Sequence, residues 1–323
     1  MDTNLDLAEK LRLIGVYYQI LGDQWRSKTF LTAASKIEKF PELILSGAQA
    51  QKIKGIGPSV ATQIDQLLES GTSDRLEELE AQAQDWKASM DLLLGVYGIG
   101  PVQARKFIEA GVTTLEDLSR QKLTKAQELG LDFYHDLQER IPREEIDQLK
   151  QLLQQAWAPF ETEWEIVGSY RRRKPDSGDI DVLIKQKPSL RLSDLVDALY
   201  QVPSGNLLNE PLVVGDLAEG KKKYMGIIQY GDHPARRLDL LLVPEQEWPF
   251  ALVYFTGSKE FNVQMRNKAL ALGMTLNEHR LADSKTGEPA RLMDLDTGEP
   301  FTIRDEQDLF DALDMDYLEP WER

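Results

Sequence analysis

The stretch Asp179-Ile180-Asp181-Val182-Leu183-Ile184 alternates acidic and apolar residues and then turns wholly apolar. That rhythm belongs to a half-buried strand, whose successive side chains point to opposite faces of a sheet. Asp179 and Asp181 therefore share one face, and Ile180 and Val182 anchor the other. Two carboxylates so close repel each other unless a cation lies between them. Hard carboxylate oxygens suit Mg²⁺, which also takes oxygens from substrate phosphates. Just upstream, Glu165-Ile166-Val167 reads as a strand entering Gly168-Ser169, where glycine lets backbone N–H groups approach an anion. Ser169 adds a hydroxyl, and Arg171, Arg172, Arg173 and Lys174 follow. A third acid, Asp239, is embedded in the apolar run from His233 to Val243. One aspartate in a strand is ordinarily a surface or strand-end residue; the set together points to phosphate and metal chemistry.

The 323 residues allow two or three compact units and a sizeable core. Hydrophobic residues at 41% and charged ones at 28% are ordinary for a globular protein. No signal peptide or membrane span is expected. The absence of cysteine excludes disulfides and thiol nucleophiles and fits a reducing compartment. A formal charge of −16 argues against a general nucleic-acid coat protein. A local basic groove can still work on an acidic body, and Arg171–Lys174, Lys221–Lys223 and Arg236-Arg237 fall in the segment that carries the three aspartates. Lys221–Lys223 reads more simply as a solvated hairpin than as a ligand site.

Residues 1 to about 75 read as helices. Leu7, Leu11, Ile14, Tyr18 and Leu21 recur at helical spacing before Gly22-Asp23. A second helix carries Trp25, Phe30, Ala33, Ala34, Ile37 and Phe40, with its aromatics expected in the core, and stops before Pro41. Then Gly55-Ile56-Gly57-Pro58 opens a helical run to Leu68, and Gly98-Ile99-Gly100-Pro101 repeats the device. Proline suits a first helical turn, and the glycines leave backbone N–H groups open to a phosphate at the positive helix end. One copy could be a plain turn between helices; two resemble helix-hairpin-helix motifs, which grip DNA backbones without reading sequence. From Trp164 to Val243 strands mix with helices such as Leu192–Tyr200, and a mixed α+β tail follows Pro244.

Apolar-Gly-Ser, a short loop, Asp-apolar-Asp-apolar and a later strand Asp resemble the nucleotidyltransferase superfamily. The resemblance narrows to the family X DNA polymerases of the beta and lambda type. It is carried by the paired hairpins, Arg140-Ile141-Pro142-Arg143-Glu144-Glu145, Gly168-Ser169-Tyr170-Arg171-Arg172, Ser177 to Val182, Arg236-Arg237-Leu238-Asp239, Tyr254-Phe255-Thr256-Gly257-Ser258, Phe261-Asn262, Met265-Arg266 and Tyr317-Leu318-Glu319-Pro320. It covers the compact core only, with no BRCT domain expected before it and no PHP phosphoesterase domain after it.

The family implies a multidomain α and α+β chain. Its parts are a helical lyase-like domain at 1–85 with the first hairpin and a helical DNA-binding subdomain at 86–142 with the second. A nucleotidyltransferase palm at 143–244, with mixed sheet and helices, and a small α+β subdomain at 245–323 against the nascent base pair complete it. The implied activity is template-directed addition of a dNTP to a primer 3′-OH, in gap filling during DNA repair by base excision or end joining. In-line displacement at phosphorus is served by two metals about 3.5–4 Å apart. Asp179 and Asp181 would bridge two Mg²⁺, with Mn²⁺ as substitute, and Asp239 would bind the one at the primer end. Ser169, Arg172, Ser177 and Gly178 match the triphosphate positions, and Tyr254, Phe255, Gly257 and Asn262 the sugar and nascent pair. Gly55, Gly57, Gly98, Gly100, Arg237 and Arg266 match DNA contacts. A monovalent cation (Na⁺ or K⁺) is implied at the hairpins, held in the second by the carbonyls of Leu94, Val96 and Ile99. The partners implied are gapped or primer–template DNA and dNTP, with no membrane, acting as a monomer in the cytoplasm and nucleoid, or in the nucleus of a eukaryote.

The sequence departs from the family at Val263, where a cation covers the templating base, and at Leu241, which replaces an arginine of polymerase beta. Gln63 stands where the family has its Schiff-base lysine for 5′-deoxyribose-phosphate removal, and Ser59 and Gln51 replace phosphate-binding lysines. Loss of the lyase activity is the expectation. Two other readings stay open: a nucleotidyltransferase that adds to ends without a template, and a non-catalytic DNA-end scaffold.

Overall fold

The computed structural model describes residues 4–205, 210–293 and 300–323. They form two compact units, Met1–Lys122 and Leu123–Arg323.

The first unit is helical. Helices Asn4–Ile20 and Gln24–Glu38 bury Leu7, Leu11, Ile14 and Tyr18 with Phe30, Ala33, Ala34 and Ile37. Asp23 starts the second of them by accepting the Arg26 N–H at 2.9 Å, the ordinary work of an N-cap. Contrary to expectation, Trp25 is 77% exposed. It precedes Phe30 by five residues, about 140° around a helix turning 100° per residue, and so misses the buried stripe. Helix Pro58–Ser70 follows Gly57 and ends at Gly71, whose φ of +77° suits glycine. Helix Asp74–Leu94 is capped by Ser73, and Pro101–Glu109 follows Gly100.

The second unit is built on a five-stranded sheet. Its strands are β1 (Trp164–Ile166), β2 (Ile180–Lys185), β3 (Val213–Glu219), β4 (Lys223–Ile228) and β5 (Arg236–Val243), in the spatial order β1-β2-β5-β4-β3. Only β2 and β5 pair in parallel; the other neighbours are antiparallel. Strand alternation sorts the side chains. Ile180, Val182 and Ile184 of β2 and Leu238, Leu240 and Leu242 of β5 share a core with Ile146, Leu149, Leu153 and Trp157 of helix Arg143–Trp157. Leu192, Leu195, Val196 and Leu199 of helix Leu192–Tyr200 fill the same core. The other face carries Leu183 and Val243, covered by Trp248 and Ala251 of helix Trp248–Thr256. Asp181 and Asp239 alternate onto that second face, beyond its apolar cover.

After Trp248–Thr256 come helix Lys259–Ala271, a small antiparallel pair, Met274–Leu276 with Leu281–Asp283, and helix Glu306–Ala312. Phe261, Met265, Leu309, Phe310 and Leu313 make their core. The architecture is the expected one: helices throughout the first unit, and a mixed sheet with helices followed by a small α+β part in the second. No helix among the described residues is long and apolar enough to cross a membrane.

Candidate active site

Parallel pairing of β2 with β5 puts Asp181 directly opposite Asp239. Burial raises the Asp181 carboxyl to about 6, the negative charge of Asp239 pushes the same way, and Lys223 pulls weakly against both. Burial also raises Asp239, although Arg237 and Lys223 oppose it. The Asp239 Oδ1 atom is buried without a hydrogen bond. Arg237 Nε lies 3.2 Å from it, within ion-pair range but misaligned for a bond. Two adjacent acids that both resist ionisation have a charge deficit a hard cation would relieve.

Asp179 precedes β2, and its carboxylate is paired with the Arg237 guanidinium. The three acids therefore do not close into one cluster: among the described residues, no three His, Cys, Asp or Glu side chains are grouped to hold a metal ion. Arg237 sits beside both Asp179 and Asp239, as the sequence places it next to the third acid.

Of the phosphate-binding candidates, the Gly168 turn lies against this pair. Gly168 has φ +63°, a left-handed turn that favours glycine, and a Cβ built there would lie in ordinary contact 3.5 Å from Asp181 Oδ2, which places the turn beside that carboxylate. The Val167 N–H donates to the Asp181 carbonyl at 2.9 Å, tying this turn to β2. Ser169 Oγ donates to Ser177 Oγ at 2.8 Å, which joins two of the expected triphosphate residues. Gly178 is exposed, with Arg140 NH1 3.1 Å from where its Cβ would be. Arg140 holds Asp176 Oδ1 at 2.6 Å. Its place beside Gly178 was signalled in the sequence only by the Arg140–Glu145 run.

Arg172 donates to the Thr256 carbonyl at the end of helix Trp248–Thr256, and its Nε is buried without a partner. Desolvation lowers its guanidinium below the usual arginine value, so an anion placed there would be held firmly. Gly257 follows with φ +67°, its missing side chain leaving room for Arg172 NH1, 3.1 Å from where a Cβ would be; the Gly257–Ser258 peptide is cis. Tyr254 and Phe255 meet edge to face at 5.1 Å between ring centroids. Asn262 donates to the Tyr254 carbonyl at 2.7 Å, Arg266 Nε to the Asn262 carbonyl at 3.3 Å, and Val263 is 41% exposed beside them.

Two basic residues of the expected positive patch are spent on buried acids instead. Arg171 forks onto Glu306 at 2.9 and 2.7 Å, and Arg236 onto Glu145 at 2.7 and 2.9 Å. Both are framework of this unit. Lys223, read as a solvated hairpin residue, is exposed at the start of β4 and near enough to both strand acids to lower them.

In the first unit Gly55 and Gly98 take φ of +94° and +83°, the turns that let each hairpin open its helix. Gly57 and Gly100 differ. Their backbones are in ordinary extended conformations, and a Cβ at either would meet nothing within 4 Å. Neither conformation nor internal packing requires glycine there; an approaching external group would. In the first hairpin Lys36 donates its ammonium to the Lys54 carbonyl, and a Cβ on Gly55 would lie 2.6 Å from that nitrogen. In the second, the Val96 carbonyl accepts the Ile99 N–H at 3.1 Å; Leu94 is exposed and Ile99 buried. Gln63 stands on helix Pro58–Ser70 with its side-chain oxygen buried and unpartnered.

The sequence is similar to known proteins segment by segment. The chain matches the families described as helix-hairpin-helix domain over residues 2–73, fingers domain of DNA polymerase lambda over 91–138, DNA polymerase beta palm over 140–245 and DNA polymerase beta thumb over 251–323. It is 32% identical to the DNA polymerase lambda of Rattus norvegicus across 99% of this chain and 56% of that protein. It is 32% identical to the DNA polymerase lambda of Arabidopsis thaliana across 100% of this chain and 62% of that one. A DNA nucleotidylexotransferase of Xenopus laevis is 25% identical across 100% of this chain and 68% of its own length. The chain thus spans 56% and 62% of the two polymerase lambda relatives. Four matched segments in one order, with full-length similarity around a strand pair bearing Asp181 and Asp239, place the chain in the family X DNA polymerases.

Proposed function

We propose that this protein is a DNA-directed DNA polymerase that adds a deoxynucleotide to a primer 3′-OH in gap-filling repair. The observation that carries the reading is the half-buried, facing pair Asp181 and Asp239 beside the Gly168 turn. Asp179, Asp181 and Asp239 are the residues that would hold divalent metal, Mg²⁺ with Mn²⁺ as substitute. Bound there, metal would supply charge neutralisation for the attacking and leaving oxygens.

The chain's own groups do the rest. Ser169, Ser177, Gly178 and Arg172 hold the triphosphate; Arg172 offers a planar donor fork whose unpartnered Nε fits that work. Tyr254, Phe255 and Gly257 shape the sugar pocket, and Asn262 and Arg266 face the nascent pair. Arg237 would sit beside Asp239 and the primer terminus, and its pairing with Asp179 would have to open for that carboxylate to hold metal. Gly55, Gly57, Gly98 and Gly100 present backbone N–H groups to DNA phosphates. The divisions 1–85, 86–142, 143–244 and 245–323 are the functional parts we assign, and the enzyme works as a monomer. A monovalent cation (Na⁺ or K⁺) would be held at the second hairpin by the carbonyls of Leu94, Val96 and Ile99.

Similarity to a DNA nucleotidylexotransferase makes end addition without a template the second reading. Primer extension on gapped DNA with one templating base separates the two. Incorporation of the complementary dNTP alone, abolished by Asp181→Ala, is expected. Equal addition of all four to a single strand would favour end addition, and no incorporation at all would favour a scaffold.

A further inference from the structure

The run Arg171-Arg172-Arg173-Lys174 is only partly used by the site above. Arg171 is spent on Glu306 and Arg172 faces the nucleotide turn, but Arg173 goes elsewhere. Its guanidinium lies 3.4 Å from the centre of the Trp321 ring, and its backbone takes φ +58°, a conformation that costs a non-glycine residue energy. Beside it, Arg143 lies 4.2 Å and Lys150 5.7 Å from the centre of the Tyr170 ring. All three cations line one open cavity of about 320 Å³.

None of the three has an ion-pair partner among the described residues, in a chain where 54 acids outnumber 38 basic residues. The acids nearby are engaged. Glu165 is 4.0 Å from Arg171, Glu319 accepts a backbone N–H of the last helical turn, and Asp147 accepts the Tyr170 hydroxyl at 2.6 Å. The Arg143 guanidinium makes one hydrogen bond among the described residues, to the Tyr170 carbonyl at 2.7 Å, which leaves its other donors for a ligand. Trp321 is 42% exposed. Cationic groups with an accessible aromatic ring are what a strand of nucleotides binds, phosphate to charge and base to ring. The cavity is at the small end of the range for ligand sites, room for about one nucleotide.

We propose that this pocket is a second nucleotide-phosphate site, formed by Arg143, Lys150, Arg173 and Trp321 and separate from the aspartate pair. The phosphate comes from an unpaired DNA strand or from a free nucleotide. The chemistry is the same, and the probes distinguish the two.

The test is photocrosslinking of the full protein, without divalent metal, to an eight-thymidine strand containing 5-iodouracil and separately to 5-iodo-dUMP. Adducts are located by peptide mass spectrometry. Adducts in the peptide 317–323 are expected, reduced roughly tenfold by Arg173→Gln or Lys150→Gln, the scale of one lost charge-assisted contact. Arg173→Lys should retain most of the yield, and circular dichroism verifies that each variant is folded. Asp181→Asn should crosslink like the wild type there, so failure of the polymerase reading would not remove this signal. Adducts with the strand alone assign the site to an unpaired strand, and adducts with both assign it to any nucleotide. No adduct in 317–323, or one indifferent to Arg173→Gln and Lys150→Gln together, overturns the proposal.

Discussion

Asp181 is held in a state that favours its proton. The folded protein keeps that proton to about pH 6, whereas an unperturbed aspartate releases it near 3.8. Between those values the folded state binds more protons than the unfolded one, so its stability contribution is full below about 4 and is lost as pH rises through about 6. Asp181→Asn should therefore raise the metal-free melting temperature at pH 8, by an amount equivalent to on the order of 2–3 kcal/mol, and change little at pH 4. Thermal melts in chelator at both pH values check this; a less stable variant at pH 8 would count against the assignment. The same variant should lose incorporation roughly a thousandfold, several kcal/mol of transition-state stabilisation. Gln63 poses the complementary case. An amide nitrogen cannot form a Schiff base, Lys28, Lys52 and Lys54 are exposed, and Lys36 is donating to a carbonyl. Borohydride trapping on a 5′-incised abasic substrate should give no adduct with the wild type and some with Gln63→Lys. Efficient trapping of the wild type would refute the loss of lyase chemistry.

At the level of elements, the two hairpins separate glycines that shape a turn from glycines that leave an opening. A Cβ at Gly57 or Gly100 meets nothing within 4 Å and the backbone angles are ordinary, so Gly57→Val and Gly100→Val should still fold, losing about 1 kcal/mol at these N-cap positions. Each should weaken binding to gapped DNA roughly tenfold or more, because a side chain then stands between a phosphate and the backbone N–H groups. Fluorescence anisotropy with labelled gapped DNA measures it, and unchanged affinity in both would remove the phosphate role. These elements were legible in the sequence because their signals are local: Pro after Gly opens a helix, and acid–apolar alternation makes a strand. The facing of Asp181 and Asp239 was not, since register between β2 and β5 depends on strand pairing distant in sequence. Nor was the division of the basic residues. Arg171, Arg172 and Arg173 look alike in a row, yet one pairs with a buried acid, one with a helix end and one with a tryptophan face. Trp25 shows the opposite error, an aromatic assigned to the core by type when its position on the helix pointed outward.

Across the second unit, one buried ion cluster ties the turn at residues 168–172 to the end of the chain. Glu306 receives Arg171 from one side and Arg323 NH1 from the other at 2.7 Å. Arg171 also donates to Thr256 Oγ1 at 2.8 Å, beside the Arg172 contact. Burial opposes ionisation of Glu306, but the bonds and charge of Arg171, with Arg323, outweigh it and hold the carboxyl below its usual value. A depressed carboxyl stabilises the fold above the unfolded value of 4.5 and loses that contribution as pH falls through the folded one. This runs opposite to Asp181, so as pH falls the wild type should first be relieved of the Asp181 burden between about 6 and 4, and then lose the Glu306 contribution below about 4.5. Glu306→Ala leaves two arginines uncompensated and should cost about 3–5 kcal/mol near neutral pH. The cost should shrink as pH drops below the range where Glu306 ionises. Urea denaturation of wild type and Glu306→Ala at pH 7 and pH 3 measures both. A difference that stayed the same at the two pH values would show that the cluster acts by packing and not by charge. Because Arg171 precedes Arg172, the variant should also bind dNTP more weakly at pH 7 even where it remains folded.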